Sequence, residues 1–289
     1  MGGMPESPEV QALADHLDGR TAGRTVVRLD VPAFQALKTF DPPPSALHGR
    51  TVASVTRRGK FLDLDASGLH LVLHLARAGW VRHRDGLPTA PPRPGRGPLA
   101  LQLLLDDGSG WQVTEQGTTK RLAAHVVRDP AEVPGVARLG PDPLDGSFSR
   151  TDLAAVAADR RVRLKGLLTD QSLLAGVGNA YSDEVLHTAR LSPYALASSL
   201  DEEQLDRLYG TLRSVLGEAL ERARGLASGD LKAEKKAGLR VHGRAGEPCP
   251  VCGDTVRQVV FAESSLQYCP TCQTQGRVLA DRRLSRLLK

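Results

Sequence analysis

The chain has 289 residues, 40% hydrophobic and only 4% aromatic, with 38 Lys plus Arg against 33 Asp plus Glu for a formal net charge of +5. That length and apolar content allow two or three domains with separate cores and exclude a disordered chain, and a modest basic excess suits a polyanionic partner met by local placement of charge. The scarcity of aromatics argues against a face that stacks many bases, no apolar run approaches the ~20 residues of a membrane span, and no signal-peptide core opens the chain, so the expected setting is cytoplasmic without membrane contact.

The first informative stretch is Met4-Pro5-Glu6-Ser7-Pro8-Glu9-Val10. With Pro5 as first residue, its free secondary amine stands beside the Glu6 carboxylate. An α-amino group titrates below a lysine, so part of it is an unprotonated nucleophile near neutral pH. Attack by a secondary amine on a sugar aldehyde gives an iminium whose positive charge persists as an electron sink, and Glu6 could move protons for it. The alternative is that Pro5 and Pro8 only stiffen a terminus. With Met1-Gly2-Gly3 still attached, the Pro5 nitrogen would be an amide and no nucleophile; the expected mature start is Pro5.

Behind this stretch, Val10, Leu13, Ala14 and Leu17 recur at helical spacing and predict a short amphipathic helix over 9–17. Short β-type runs follow at 26–31, 52–56, 61–65, 69–75, 99–105 and 111–114, separated by turn residues such as Asp107-Gly108 and by Pro/Gly-rich loops. The pattern predicts an antiparallel sandwich or barrel of about eight strands. Within it, Thr56-Arg57-Arg58-Gly59-Lys60-Phe61-Leu62 sets cations and a glycine at a strand entry, where Lys60 could meet a phosphate or donate a proton, or simply guard a strand edge. His74-Leu75-Ala76-Arg77-Ala78-Gly79-Trp80 ends an apolar strand with Arg77 at a turn, placed either to enter a groove or to face water.

Beyond Arg128-Asp129-Pro130 the composition changes. A proline-bounded connector, Leu139-Gly140-Pro141-Asp142-Pro143-Leu144, leads to a predicted helix over 152–168. In Ala175-Gly176-Val177-Gly178-Asn179-Ala180-Tyr181 the glycines permit a tight turn, and Asn179 would cap the helix carrying Glu184, leaving exposed N–H groups where a phosphate could bind; a plain interhelical turn is the alternative. A long amphipathic helix is expected over 200–226, and Lys232, Lys235, Lys236 and Arg240 follow it.

All four cysteines lie at the C-terminal end, as Cys249-Pro250-Val251-Cys252 and, sixteen residues on, Cys269-Pro270-Thr271-Cys272. Two such knuckles supply four thiolates to one tetrahedral, structural Zn²⁺ at the turns of a β-hairpin too small to fold alone. A disulfide framework distributed through the chain is excluded.

In one order along the chain stand Met-Pro-Glu, Arg-Gly-Lys-Phe-Leu, the 74–79 turn, Leu-Gly-Pro-Asp-Pro-Leu, Ala-Gly-Val-Gly-Asn-Ala-Tyr and Leu239-Arg240-Val241-His242-Gly243-Arg244 before the cysteine hairpin. Together they resemble the formamidopyrimidine-DNA glycosylase and endonuclease VIII family of base-excision repair enzymes, over Met4 to about Gln273. The resemblance implies an α+β, two-domain clamp: an N-terminal antiparallel β-sandwich, and a C-terminal helix-two-turns-helix module with a zinc-ribbon β-hairpin, with DNA between the two. The expected division is 4–130 for the catalytic sandwich, 131–150 for a connector, 151–240 for the helical module, 241–276 for the zinc hairpin and 277–289 for a basic tail. It implies a monomeric, nucleoid-associated glycosylase and abasic-site lyase acting on damaged and abasic duplex DNA.

By the same resemblance Pro5 attacks C1′ of the damaged nucleotide, Glu6 handles protons at the sugar, and Lys60 contacts phosphate and assists elimination. Asn179 would hold the backbone phosphate near the lesion, and Lys165 and Arg121 are expected to touch DNA. Arg77, Lys120 and Leu122 stand where the formamidopyrimidine branch places the residues that fill the gap left by a flipped nucleotide. Ser264 replaces the hairpin arginine, so β-elimination is expected to dominate over δ-elimination, and Ser7 leans the reading slightly toward the endonuclease VIII branch. Two other readings compete: a damaged-DNA-binding protein without turnover, and a zinc-ribbon RNA-binding protein, which leaves Pro5-Glu6 and the β-rich half unexplained.

Overall fold

The computed structural model describes residues 4–95, 97–158, 160–261 and 264–280, so Met1-Gly2-Gly3 and most of the expected basic tail lie outside the described residues. Two compact units divide the chain: residues 1–138 with 222–234, and residues 139–221 with 235–289. The stretch 222–234 thus groups with the first unit, whereas the sequence reading put it in the helical module.

In the first unit, helix α1 spans Ser7–Thr21 and starts earlier and ends later than its apolar spacing predicts. The extra turn has a local cause. Glu6 is the N-cap and forms a capping box with Glu9, whose carboxylate accepts the Glu6 N–H at 2.9 Å, and Pro8 lies in the first turn, where a missing N–H costs nothing. Among the described residues eight strands follow: β1 (Val26–Asp30), β2 (Ser54–Arg58), β3 (Phe61–Asp65), β4 (His70–His74), β5 (Gly79–Arg84), β6 (Leu99–Leu105), β7 (Gly110–Glu115) and β8 (Ala123–Val127). They form two antiparallel sheets of order β1-β6-β7-β5 and β2-β3-β4-β8. Each sheet has two open edges, which decides between the predicted alternatives in favour of a sandwich.

The core of this unit draws on both sheets: Leu62, Leu64, Leu71 and Leu73 from one, Leu101, Leu103 and Trp111 from the other, all at most 1% exposed. Trp111 is buried with its indole N–H donating to Thr21 Oγ1 at 3.0 Å, so its one polar atom is satisfied. β5 and β8 were not foreseen. Trp80-Val81 is followed by Arg82-His83-Arg84, and Ala123-Ala124 carries little β propensity; their partners β7 and β4, distant in sequence, make them strands.

The second unit opens with the connector. After the short α2 (Pro134–Ala137), which still belongs to the first unit, come α3 (Arg150–Ala157), α4 (Leu164–Thr169), α5 (Asn179–Thr188) and α6 (Glu202–Ala223), whose last two residues group with the first unit; α7 (Leu231–Gly238) is divided, 231–234 grouping with the first unit and 235–238 with the second. The single helix predicted over 152–168 is two. Between them the chain turns extended and pairs elsewhere: Arg163 bridges Leu196, the Leu164 N–H donates to the Ala195 carbonyl, and the Ala197 N–H to the Val162 carbonyl. Leu164, Leu167, Leu168, Leu174, Val177, Val185, Leu186, Leu208, Leu212 and Leu216 make its core. The last elements among the described residues are a hairpin of β9 (Arg257–Val260) and β10 (Ser265–Tyr268), then a short helix α8 (Pro270–Thr274).

The tightest steric constraint near the sandwich core is Gly110, where an added Cβ would lie 1.9 Å from the Leu103 carbonyl oxygen at φ +156°. Gly110→Ala is expected to break the β6–β7 ladder and to lower unfolding free energy by about 2 kcal/mol or more, read from the urea midpoint.

Candidate active site and zinc centre

α1 packs along β2, and two side-chain bonds set its register. Gln11 Oε1 accepts from Arg57 Nε at 2.9 Å, and further along the helix Asp18 Oδ1 accepts the Val55 N–H at 2.7 Å. Moving up the helix therefore means moving back along β2. Extrapolated the other way, the helix start, with buried Pro5 and Glu6, runs toward the β2–β3 turn of Gly59 and Lys60. That turn is tight: Gly59 adopts φ +56° and its carbonyl accepts from Arg57 Nη1 at 3.0 Å.

Lys60 is only 6% exposed, so it is not a solvated strand-edge cation. Next to it, Phe61 pairs with His74 across β3 and β4, their rings 4.7 Å apart. Burial first, then the Lys60 ammonium and His125, push the His74 imidazole down to about 4, so it stays neutral at pH 7. Lys60 and His74 thus lie together at one end of the sheet β2-β3-β4-β8, the end toward which the start of α1 is directed.

The expected DNA contacts divide. Arg77 is exposed on the β4–β5 turn, and Lys120 and Arg121 are exposed on the β7–β8 loop. Lys120 is turned back, its Nζ donating to the carbonyl of Glu115 in its own loop. Leu122 is 2% exposed, with a methyl group close against Gly79, so here it packs within the sandwich.

In the second unit Asn179 is the first residue of α5 and not its cap; Gly178 takes the N-cap, and the Asn179 amide donates to the Ser265 carbonyl of the hairpin at 2.7 Å. The preceding turn is stapled by Gln171, which donates to the Thr169 and Val177 carbonyls and accepts the Gly176 N–H. Lys165 was expected to touch DNA; in this structure its ammonium is engaged within the second unit. It is 13% exposed, and its three ammonium protons are matched by Asn179 O at 2.7 Å, Ser182 Oγ at 2.7 Å and Asp183 Oδ1 at 2.6 Å.

Sequence reasoning missed the two carboxylates that build this region. Asp183, 1% exposed, also holds His242 Nδ1 at 2.7 Å and the Gln267 N–H at 3.1 Å. Glu184 accepts the N–H groups of Arg240, Val241 and His242 at 2.8, 3.0 and 2.8 Å. Burial raises the Glu184 pKa, and those three donors oppose the rise. The only sequence signal was adjacency of two acids on a helix otherwise buried, and nothing local names their partners.

The four cysteine sulfurs lie within 4.8 Å of one another, with Cys249 to Cys272 at 3.9 Å and Cys252 to Cys269 at 3.3 Å. Four ligands at a Zn–S distance of ~2.3 Å span tetrahedral edges of about 3.8 Å, so the sulfur positions fit the ion. Burial and the neighbouring sulfurs push the Cys269 thiol up to about 11 and raise that of Cys272, while the Asp254 backbone hydrogen bond lowers that of Cys252, so a bound cation is what would ionise Cys269 and Cys272. His187, whose pKa is lowered by burial, sets Nε2 3.2 Å from Cys249 Sγ and couples α5 to the metal knuckle.

Comparison with known proteins agrees with this arrangement. Family models match for the formamidopyrimidine-DNA glycosylase N-terminal domain over 4–122, its H2TH domain over 139–229 and the zinc finger found in FPG and IleRS over 246–275. A formamidopyrimidine-DNA glycosylase-like protein of Mycobacterium tuberculosis is 55% identical over 159 residues, covering 55% of this chain and 99% of its own. The formamidopyrimidine-DNA glycosylase of Heliobacterium modesticaldum is 37% identical over 279 residues, covering 93% of this chain and all of its own. The crystal structure of the MutM (Fpg) protein of Thermus thermophilus superposes with a TM-score of 0.78 at 34% identity, covering 93% and 98% of the two chains. These relatives give the lean toward endonuclease VIII no support.

Two outcomes test the assignments made from geometry. Lys165→Ala leaves Asp183 buried without its cation, so the second unit should lose about 3 kcal/mol in denaturant melts while the salt dependence of DNA binding keeps its slope. Cys269→Ser, or a strong chelator, should remove the stoichiometric zinc measured by a colorimetric metal assay and unfold the hairpin, with zinc restoring the wild type only. With the N-terminal, helical and zinc-finger models matched in order and a relative aligned along its whole length, the chain belongs to the formamidopyrimidine-DNA glycosylase family.

Proposed function

We propose that this glycosylase excises oxidised bases through the Pro5 amine and nicks the strand as an abasic-site lyase. Enzymes of this family are DNA glycosylases of base-excision repair, and damaged DNA is the partner. The observation that carries the residue assignment is the α1–β2 register, which runs the buried Pro5-Glu6 pair toward the turn bearing the buried Lys60.

The chemistry follows from those groups. The target nucleotide must leave the stack before C1′ can be reached. The Pro5 nitrogen attacks C1′ as the glycosidic bond breaks, and the base departs with the proton that the Pro5 nitrogen gives up. Ring opening, with Glu6 supplying the proton to the ring oxygen, leaves an iminium between Pro5 and the sugar. That cation acidifies C2′; loss of a C2′ proton expels the 3′ phosphate, and water then hydrolyses the iminium and frees Pro5. Lys60, a buried cation, balances phosphate charge during the elimination. With Ser264 in place of an arginine on the hairpin, the reaction stops mainly at β-elimination.

The labour divides as 4–130 for chemistry, 131–150 as connector, 151–240 with the Asn179 turn for backbone phosphate, and 241–276 for the zinc hairpin. Gly178 and Asn179 place the positive end of the ten-residue α5 at that turn, which favours an anion. All these parts lie in one chain, so the enzyme acts as a monomer, and its substrate places it on the nucleoid.

Borohydride reduction tests the scheme. A chain starting at Pro5 should give a stable adduct with abasic DNA, and one carrying an uncleavable glycine before Pro5 should give none, with nicking reduced at least about 100-fold, the scale of losing an activated nucleophile. Equal nicking by the capped chain would overturn the Pro5 mechanism and leave a lesion-binding protein.

A further inference from the structure

Two cation-bearing loops of the sandwich are joined edge to edge. Gly79, just after the Arg77 turn, pairs with Glu115, the last residue of β7, and the Gln116 N–H donates to the Ala78 carbonyl at 3.1 Å. An added Cβ at Gly79 would lie 2.2 Å from the Leu75 carbonyl and 3.0 Å from the Leu122 methyl, so the turn and the loop are packed as closely as backbone allows. The β7–β8 loop lies outside both ladders between 116 and 122, and residues 116–121 are exposed. Something else must hold its shape.

That group is the Glu115 side chain. It is 4% exposed, and its Oε1 accepts the N–H groups of Arg121 at 2.6 Å and Leu122 at 2.9 Å, while its carbonyl accepts from Lys120 Nζ. One buried carboxylate therefore closes the loop on itself at the point where it meets the Arg77 turn. A flipped nucleotide leaves a void and an orphaned partner base on the opposite strand, and only side chains held at fixed places can fill the one and discriminate the other. Flexible cations would contribute charge without sequence information.

We propose that Glu115 is a positioning residue for opposite-strand recognition: its carboxylate sets the 116–122 loop against the Arg77 turn, so that Arg77 and Arg121 present a rigid rim to the base facing the lesion. Glu115 itself touches neither sugar nor base. This rests on the glycosylase and lyase reading above and adds to it the residue that makes the enzyme sensitive to what stands opposite the damage.

The test is nicking of an abasic site placed opposite each of the four bases in duplex DNA, and of the same strand alone. Wild type should distinguish the four duplexes. Glu115→Ala should flatten that profile and lose about fivefold or more in duplex nicking, the scale of one base-specific contact, while its rate on the single strand is unchanged. Glu115→Gln, whose amide oxygen can accept the same two N–H groups, should keep the profile. Should Glu115→Ala fail to fold, Gly117→Val carries the test, because Gly117 sits at φ +90° in open space and a side chain there strains the loop from outside. An unchanged profile in the loop variants would overturn the proposal, as would equal loss on duplex and single strand, a Gln variant as impaired as Ala, or a wild type indifferent to the opposite base. Each of those outcomes leaves the lyase reading standing. A wild type that neither nicks nor traps abasic DNA overturns both.

Discussion

Glu184 accepts three consecutive backbone N–H groups from a segment more than fifty residues away, and the same device recurs at other joints of this protein. Asp183 takes the Gln267 N–H of the hairpin, Asp18 the Val55 N–H of β2, Glu9 the N–H of Glu6, and Glu115 two N–H groups of the β7–β8 loop. Turn bonds satisfy only part of a loop's donors, and a buried donor left unpaired costs as much as a strong contact contributes. A carboxylate on a helix or strand supplies two acceptor oxygens at a fixed position. Removing it undoes a whole loop and not a single bond.

Hydrogen bonds of this kind turn a scaffold into a set of positions. Charge-assisted N–H to carboxylate bonds are stronger than neutral ones and hold a loop at a defined height above its element. On α5 the two acids, one after the other, gather α4 through Lys165, the 240–242 segment and the hairpin strand β10. The zinc knuckle joins the same helix through His187 and Cys249. Metal, hairpin and helical turn are therefore one construction in the second unit, and losing the ion should be felt at Asn179, whose amide is bonded to the hairpin.

Where Lys60 and His74 meet, the division between charge and burial matters. Lys60 and His74 are close enough to influence one another, and burial together with the lysine's charge keeps the histidine neutral. A second cation alongside Lys60 would repel it. The packing of Phe61 against His74 makes that arrangement rigid. The Pro5-Glu6 pair depends on α1 for its location, and α1 depends on β2 through Gln11 and Asp18.

Much of this was legible in one dimension, where neighbours in sequence suffice. The Cys-x-x-Cys pairs, the glycines at 176 and 178 and six of the β-type runs each declare themselves through local spacing, because turns, knuckles and strand faces are set by residues a few positions apart. Strands β5 and β8 did not, since only pairing with β7 and β4 makes them strands, and the helix predicted over 152–168 divides because residues 162–164 find partners at 195–197. The fate of each cation was likewise a tertiary matter: Lys165 is enclosed by α5 and Lys120 folds back on its loop, while Arg77 and Arg121 remain at the surface. A side chain's type follows from the sequence alone, but whether its charge faces solvent or a buried acceptor is decided by which distant segment packs against it.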